Sequence, residues 1–371
     1  MKAKLPLWVD AGLIPVANVL LAFAVAGLVV LAIGDNPIEA VRDMLTGALG
    51  SSEGIGYTLY YATDYIFTGL AVAIAFHGGL FNIGGEGQAV LGGLGAGLVA
   101  LALDHVVPPV LLIPLAVLGA AGFGALWAAI PGYLQAYRGS HIVITTIMFN
   151  FIAASLMVWL MVNVLIAPGS MSPESRDFTS AQLPAISDML NAMGLHVDAS
   201  PLNLSLVLAL LCCAGVWVLI WHTPVGYEIR TMGFNPNAAL YAGVNPRRLT
   251  ILVMCLSGAL AGLVGVNEIL GVHHRLLLDF ATGYGFGGIA VALIGRNHPF
   301  GIVLAAILFG ILQQGGTELS FDMPDITRDM VVAIQGLVIL FSGALMNLPR
   351  PWLEAPFQWL AQRRPAVPEE G

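Results

Sequence analysis

The chain has 371 residues, 58% of them hydrophobic and only 10% charged, with a formal net charge of −8. A soluble domain carries about a quarter charged residues, so this composition excludes an ordinary soluble protein, and the acidic balance speaks against a nucleic-acid partner. Lysine occurs only at Lys2 and Lys4. A P-loop needs a lysine to reach the phosphates, so ATP, if it drives this protein, binds another chain.

The apolar stretches reach the roughly 20 residues that a bilayer-crossing helix requires. The ~10-residue alternating strands of a membrane barrel are missing. The first run, 13–33, is longer than the ~7–15-residue apolar core of a signal peptide, and we read it as a retained first helix. In chain order the pattern predicts ten membrane segments, at 13–33, 56–76, 88–103, 107–130, 142–166, 202–221, 249–271, 283–295, 300–315 and 330–348. The fold expectation is an all-α integral membrane protein. It forms a single polytopic domain with its core at 13–348 and short tails at 1–12 and 349–371.

The charges orient this layout. Ten crossings put both termini on one side, with Lys2, Lys4, Arg138, Arg230, Arg247, Arg248, Arg296, Arg350, Arg363 and Arg364. Only Arg42, Arg176, Arg275 and Arg328 fall opposite. Positive charge stays on the cytoplasmic side, so the termini are expected inside, the 222–249 loop inside, and the 167–201 loop outside.

Segments 88–103, 283–295 and 300–315 are short and glycine-rich. Gly84–Gly92 can be laid over Gly287–Gly295 with three glycines in register, the pattern of an inverted five-plus-five repeat with broken helices. The stretch 78–88 holds five glycines along with Asn82, Glu86 and Gln88. Glycine loosens a helix, and backbone freed at membrane depth must be satisfied by protein or cavity water. A broken helix lining a solute path is the functional reading; close packing through small residues is the alternative. Asp64 lies inside its segment and Glu268 near the outer end of another, where an ionisable group needs a cavity or a partner. His273 and His274 lack metal-ligand spacing on a helix and read as solvated. Cys212, Cys213 and Cys255 sit in apolar runs and read as small core hydrophobes. There is no nucleophile–base constellation, and neither a metal nor a cofactor is expected.

The 222–249 loop carries its own helix signals. Asn235 suits an N-cap, Pro236 the first helical position, and Gly243 the stop. A capped two-turn helix on a cytoplasmic loop makes a docking peg. Its candidate residues are Glu228, Arg230, Gly233, Asn235, Ala238, Ala239, Tyr241 and Gly243.

The run Gly79-Leu80-Phe81-Asn82-Ile83-Gly84-Gly85-Glu86-Gly87-Gln88 resembles the signature of ABC-importer permeases of the branched-chain amino acid/ribose superfamily. It is most similar to the nucleoside and simple-sugar branch. Tyr137–His141 leading into Thr145–Asn150, the Gly233–Asn245 loop, Ser257–Gly262, and Gly287–Gly295 followed by Pro299-Phe300-Gly301 also resemble it. Where that family often carries a charged helix before Val143, this chain has Ser140 and His141. The resemblance implies import fed by an extracytoplasmic binding protein, a homo- or heterodimer of permeases, and cytoplasmic ATPases docked below, in a bacterial inner membrane. The expected solute is a nucleoside, with simple sugars or branched-chain amino acids as alternatives. The path candidates are Asp64, Phe81, Asn82, Glu86, Gln88, Tyr284 and Phe286. An ion-coupled secondary transporter using Asp64 and Glu86 is the rival of a different class.

Overall fold

A computed structural model describes residues 13–281, 283–323, 326 and 328–341. The expected tails, including Lys2, Lys4, Arg350, Arg363 and Arg364, lie outside the described residues, as does the 342–348 end of the last segment. Among the described residues, every regular element is helical apart from one isolated bridge between Ala185 and Asn203. Eight helices among the described residues are long and apolar enough to cross a membrane. The chain is a multi-pass helical membrane protein.

The contacts divide it into two units. The first comprises the described residues of 1–44 and 316–371. Here α1 (Ile14–Ile33) ends at Gly34, whose φ of 113° only glycine adopts freely. Asn36 Oδ1 then accepts the Ile38 N–H, and Pro37 opens α2 (Pro37–Leu49). α14 (Arg328–Ile339) completes the unit. Val30, Ala40, Leu319, Ile326 and Val331 form its core. The sequence reading has no α2: its apolar positions alternate with Glu39, Arg42 and Asp43, so it fails a test for continuous apolar runs.

The second unit, 45–315, holds α3 (Ser52–His77), α4 (Gly85–Leu103), α5 (Pro109–Arg138), α6 (Ile142–Leu160), α7 (Ile186–Ala192), α8 (Ser205–His222), α9 (Pro224–Phe234), α10 (Pro236–Tyr241), α11 (Pro246–Gly262), α12 (Tyr284–Ile294) and most of α13 (Pro299–Asp322). α3 is buried along most of its length and forms the axis of the unit. Small residues set the packing around it. On α5 the buried stripe is Leu112, Ala116, Ala120, Gly124 and Ala128, four residues apart. A Cβ on Gly124 would stand 2.2 Å from Gly258 O, and one on Gly258 would stand 2.3 Å from Gly124 O. The backbones of α5 and α11 therefore touch, the close approach by which membrane helices gain packing without a hydrophobic driving force.

Two of the three short segments change. The fourth helix starts at Gly85, three residues before the expected 88, because Asn82 and Asn150 accept the Gly84 and Gly87 N–H groups that have no partner within it (below). The 300–315 segment is not short: α13 is a full-length span of 24 residues. The 283–295 segment is genuinely short. Its helix has 11 residues, roughly 16 Å at 1.5 Å per residue, about half of a ~30 Å hydrocarbon core. α11 continues past Gly262 as a π-helical stretch, Val266–His273, and the chain then runs irregularly into α12.

The 167–201 loop is ordered. Ser175, Phe178 and Leu183 donate backbone N–H groups to Leu276, His274 and Leu270, Phe178 is fully buried, and Arg275 pairs with Glu174 and Asp177. The expectation that His273 and His274 are solvated is corrected. The loop folds over them, His274 is half-buried, and His273 Nε2 stands 3.4 Å from Glu268 Oε2.

Candidate functional site

The site is built where two helices break. α3 ends in a Schellman turn: Gly79 N–H donates to Phe76 O and Leu80 N–H to Ala75 O, with Gly79 at φ 72°. The following residues run without helix to Gly85. Their backbone groups cannot stay unpaired inside a membrane, and side chains satisfy them. Asn82 Oδ1 accepts from Gly84 N–H at 2.9 Å. Thr146 Oγ1 accepts from Ile83 N–H at 3.3 Å. Asn150 donates to Ile83 O and accepts from Gly87 N–H, each at 2.9 Å.

Asn82 and Gln88 face each other. Asn82 Nδ2 donates to Gln88 Oε1 at 2.9 Å, and Gln88 Nε2 donates back to Asn82 Oδ1 at 3.1 Å. Asn82 also donates to Ser257 Oγ, whose hydroxyl donates to Ala71 O. Both amides are buried, so they brace the break.

Glu86 points elsewhere. Its Oε1 accepts from Gly283 N–H at 2.6 Å and its Oε2 from Gly285 N–H at 2.8 Å. The first N–H groups of a helix have no partner within it, and they carry the positive end of the helix dipole. The Glu86 carboxylate fills that role for α12 while sitting in the first turn of α4. The starts of the two helices touch: a Cβ on Gly285 would lie 2.2 Å from the Glu86 nitrogen. α12 then rests on α3 through Gly287 against Tyr65 and Gly288 against Thr68. Tyr284 meets Tyr65 edge-on at 5.4 Å. Phe81 and Tyr284 are half-buried, as is Glu86, and Phe286 is exposed; the Phe81 ring packs on Phe76 at 5.1 Å.

Asp64 belongs to a neighbouring polar cluster. It is fully buried, and its Oδ2 accepts from Asn267 Nδ2 at 2.8 Å. Asn267 Oδ1 accepts in turn from Asn203 Nδ2 and Ser205 Oγ. Tyr60 donates to Glu268 Oε1 at 2.6 Å. The seven path candidates thus separate. Glu86, Tyr284 and Phe286 belong to the junction, Asn82 and Gln88 pair across the break, Phe81 packs on Phe76, and Asp64 is bonded to Asn267.

The 222–249 loop contains the expected capped helix. Asn235 Oδ1 accepts from Asn237 and Ala238 N–H groups, Pro236 follows, and Gly243 has φ 82°. Tyr241 is 94% exposed, as are Phe234 at 91% and Leu240 at 62%. Ala238 is exposed, Glu228 and Arg230 are half-buried, and Ala239 is fully buried. Ala239 therefore faces the protein.

Sequence reasoning missed Gly283, Gly285, Asn150, Asn267, Phe234 and Leu240 as site residues. Asn267 had a visible signal, an amide next to Glu268 inside an apolar run. The glycines had none, since they act through backbone N–H groups.

Fold and site together define a multi-pass helical membrane protein of the transport class, with two broken helices meeting inside its larger unit. The chain belongs to the family described as the permease component of branched-chain amino acid transport systems, whose model matches residues 54–343. It is similar to the guanosine ABC transporter permease protein NupP of Bacillus subtilis, 37% identical over 90% of this chain and 94% of that one. It is also similar to the nucleoside ABC transporter permease protein NupB of Lactococcus lactis, 37% identical over 87% and 89%. The glucose ABC transporter permease protein TsgB13 of Haloferax volcanii is 35% identical over 92% and 89%. No solved structure matches the chain at a significant level.

Proposed function

We propose that this chain is the membrane permease subunit of a binding-protein-dependent ABC importer for nucleosides. The observation that carries this reading is the 37% identity to a guanosine permease across nine-tenths of both chains, an extent that takes in both helix breaks and the exposed loop. The chain acts as one polytopic permease paired with a second permease. ATPase subunits, which carry out the hydrolysis, dock at the 222–249 loop on the cytoplasmic side. A binding protein delivers solute at the ordered outer loop. Both termini are cytoplasmic.

In this reading the junction of α4 and α12 borders the solute path. Phe81, Tyr284 and Phe286 offer aromatic faces suited to a planar base, and Glu86 an acceptor. Asn82, Gln88 and Asp64 hold the wall behind them. Contacts here must be weak enough to release the solute. On the docking face, Phe234, Leu240 and Tyr241 provide the apolar anchors typical of interface energy. Asn235 and Gly243 shape the peg, Ala238 keeps its surface low, and Ala239 and Gly233 seat it. Glu228 and Arg230 flank it.

The test is uptake of labelled guanosine, adenosine, glucose and leucine by cells with and without the gene. Loss confined to nucleosides is the expected result. Loss confined to glucose would move the solute to the sugar class that the Haloferax relative represents.

A further inference from the structure

The docking reading above leaves open how movement of the loop reaches Glu86, and the inference here rests on that reading. We infer that Gly79 and Gly233 form a backbone-to-backbone relay that carries motion of the 222–249 loop into the broken segment holding Glu86. α9 ends its buried face under the C-terminus of α3. A Cβ on Gly233 would lie 2.2 Å from His77 O and 3.0 Å from Gly79 N. A Cβ on Gly79 would lie 3.0 Å from Gly233 Cα. The two main chains are in direct contact with no side chain between them. A side chain can change rotamer and absorb a displacement, whereas two touching backbones cannot.

Both ends of the relay are held. On the loop side, Ile229 and Met232 of α9 are buried, and α10 follows α9 directly with Ala239 seated inward. On the membrane side, His77 Nε2 lies 3.0 Å from Asn297 O, and its ring meets Trp221 edge-on at 5.2 Å. Beyond Gly79 the chain is braced at Asn82, Ile83 and Gly87 by Gln88, Ser257, Thr146 and Asn150. A shift at Gly79 is not taken up within so braced a segment. It moves the start of α4, where Glu86 holds the N-terminus of α12, so a pull on the loop loosens or tightens the α4–α12 junction.

The experiment uses the reconstituted complex with its second permease, ATPases and binding protein in liposomes. Gly233→Ala and Gly79→Ala are each compared with the parent for ATPase co-purification, ATP hydrolysis and uptake. Gly79→Ala is expected to keep full co-purification and hydrolysis within about twofold of the parent, with uptake down about tenfold or more, and Gly233→Ala to lose more uptake than co-purification. Uptake within twofold of the parent in both variants overturns the relay, as does loss of uptake only in step with lost ATPase co-purification. A second measurement leaves both glycines intact. With Cys212, Cys213 and Cys255 replaced by alanine, Phe81→Cys is labelled by a thiol reagent with and without ATP and vanadate. A change in labelling rate of about fivefold is expected, and an unchanged rate overturns the relay even if the alanine variants do not fold. If the parent chain itself fails to co-purify with ATPases, the docking reading has failed, a result separate from either of these.

Discussion

The Glu86 carboxylate spans Gly283 and Gly285, taking one backbone N–H on each oxygen at 2.6 and 2.8 Å. A residue in the first turn of α4 thus caps a helix that begins almost two hundred residues later. Within the 45–315 unit this pairs the two broken helices more specifically than apolar packing could, because the bond is directional and charge-assisted.

Glu86→Ala removes the acceptor for two N–H groups. The Gly285 donor, at a buried residue, costs about 1–3 kcal/mol when left unpaired, the exposed Gly283 donor less, and the α12 dipole loses its counter-charge. Glu86→Gln keeps one acceptor oxygen and loses the charge. Uptake should fall about tenfold in the alanine variant and less in the glutamine variant, with folded protein in the membrane at half the parent level or more. Equal uptake in all three proteins would show that the junction has no part in transport.

Asn267 joins four partners: it donates to Asp64 and to Tyr60 O and accepts from Asn203 and Ser205. Asn267→Leu takes a bond from all four and should cost at least about 3 kcal/mol, against roughly 1 kcal/mol for Ser205→Ala. Thermal midpoints of the detergent-solubilised protein test the order. A leucine variant as stable as the alanine variant would mean that the cluster does not hold the helices together.

Outside the spans, Asp104 anchors the 167–201 loop. Burial alone would push its carboxyl up. The Arg176 guanidinium at 2.9 Å and the Ser180 N–H outweigh this and hold it at about 2, below its ordinary 3.8. A carboxylate depressed by folding stabilises fully above its unfolded pKa and loses that contribution as pH falls through the folded one. The loop should therefore resist pepsin at pH 4 and yield as pH drops toward 2. Asp104→Asn should yield across the range, so the difference between the two proteins shrinks on acidification. A difference that stays constant would rule out Asp104 as the anchor.

The exposed face of the 222–249 loop separates docking from seating. Tyr241→Ala and Phe234→Ala remove exposed aromatics without touching buried contacts, and should weaken ATPase co-purification while the loop stays folded. Ala239→Arg should also abolish co-purification, but by unseating α10, because no space exists for the side chain at a fully buried position. Limited proteolysis tells the cases apart: new cleavage within the loop is expected for Ala239→Arg only. Full co-purification of both aromatic variants would move the docking surface elsewhere.

Much of this protein was determined by local pattern. Long apolar runs with few charges specify membrane helices because the bilayer demands internally bonded backbone. Asn235, Pro236 and Gly243 specify α10 because caps and stops act within one turn of the chain, and five glycines mark the break after α3 for the same local reason. What the tertiary structure decided are the pairings between distant segments. Glu86 meets backbone N–H groups, and a backbone N–H leaves no mark on the residue sequence. Ala239 faces inward while Tyr241 faces out, which depends on how α9 seats beneath α3. Helix α2 escaped because its apolar and charged residues average to an unremarkable composition. Asp64 finds Asn267 at a sequence separation of 203, a meeting fixed by how the helices pack and by the need to satisfy buried polar groups in the protein interior.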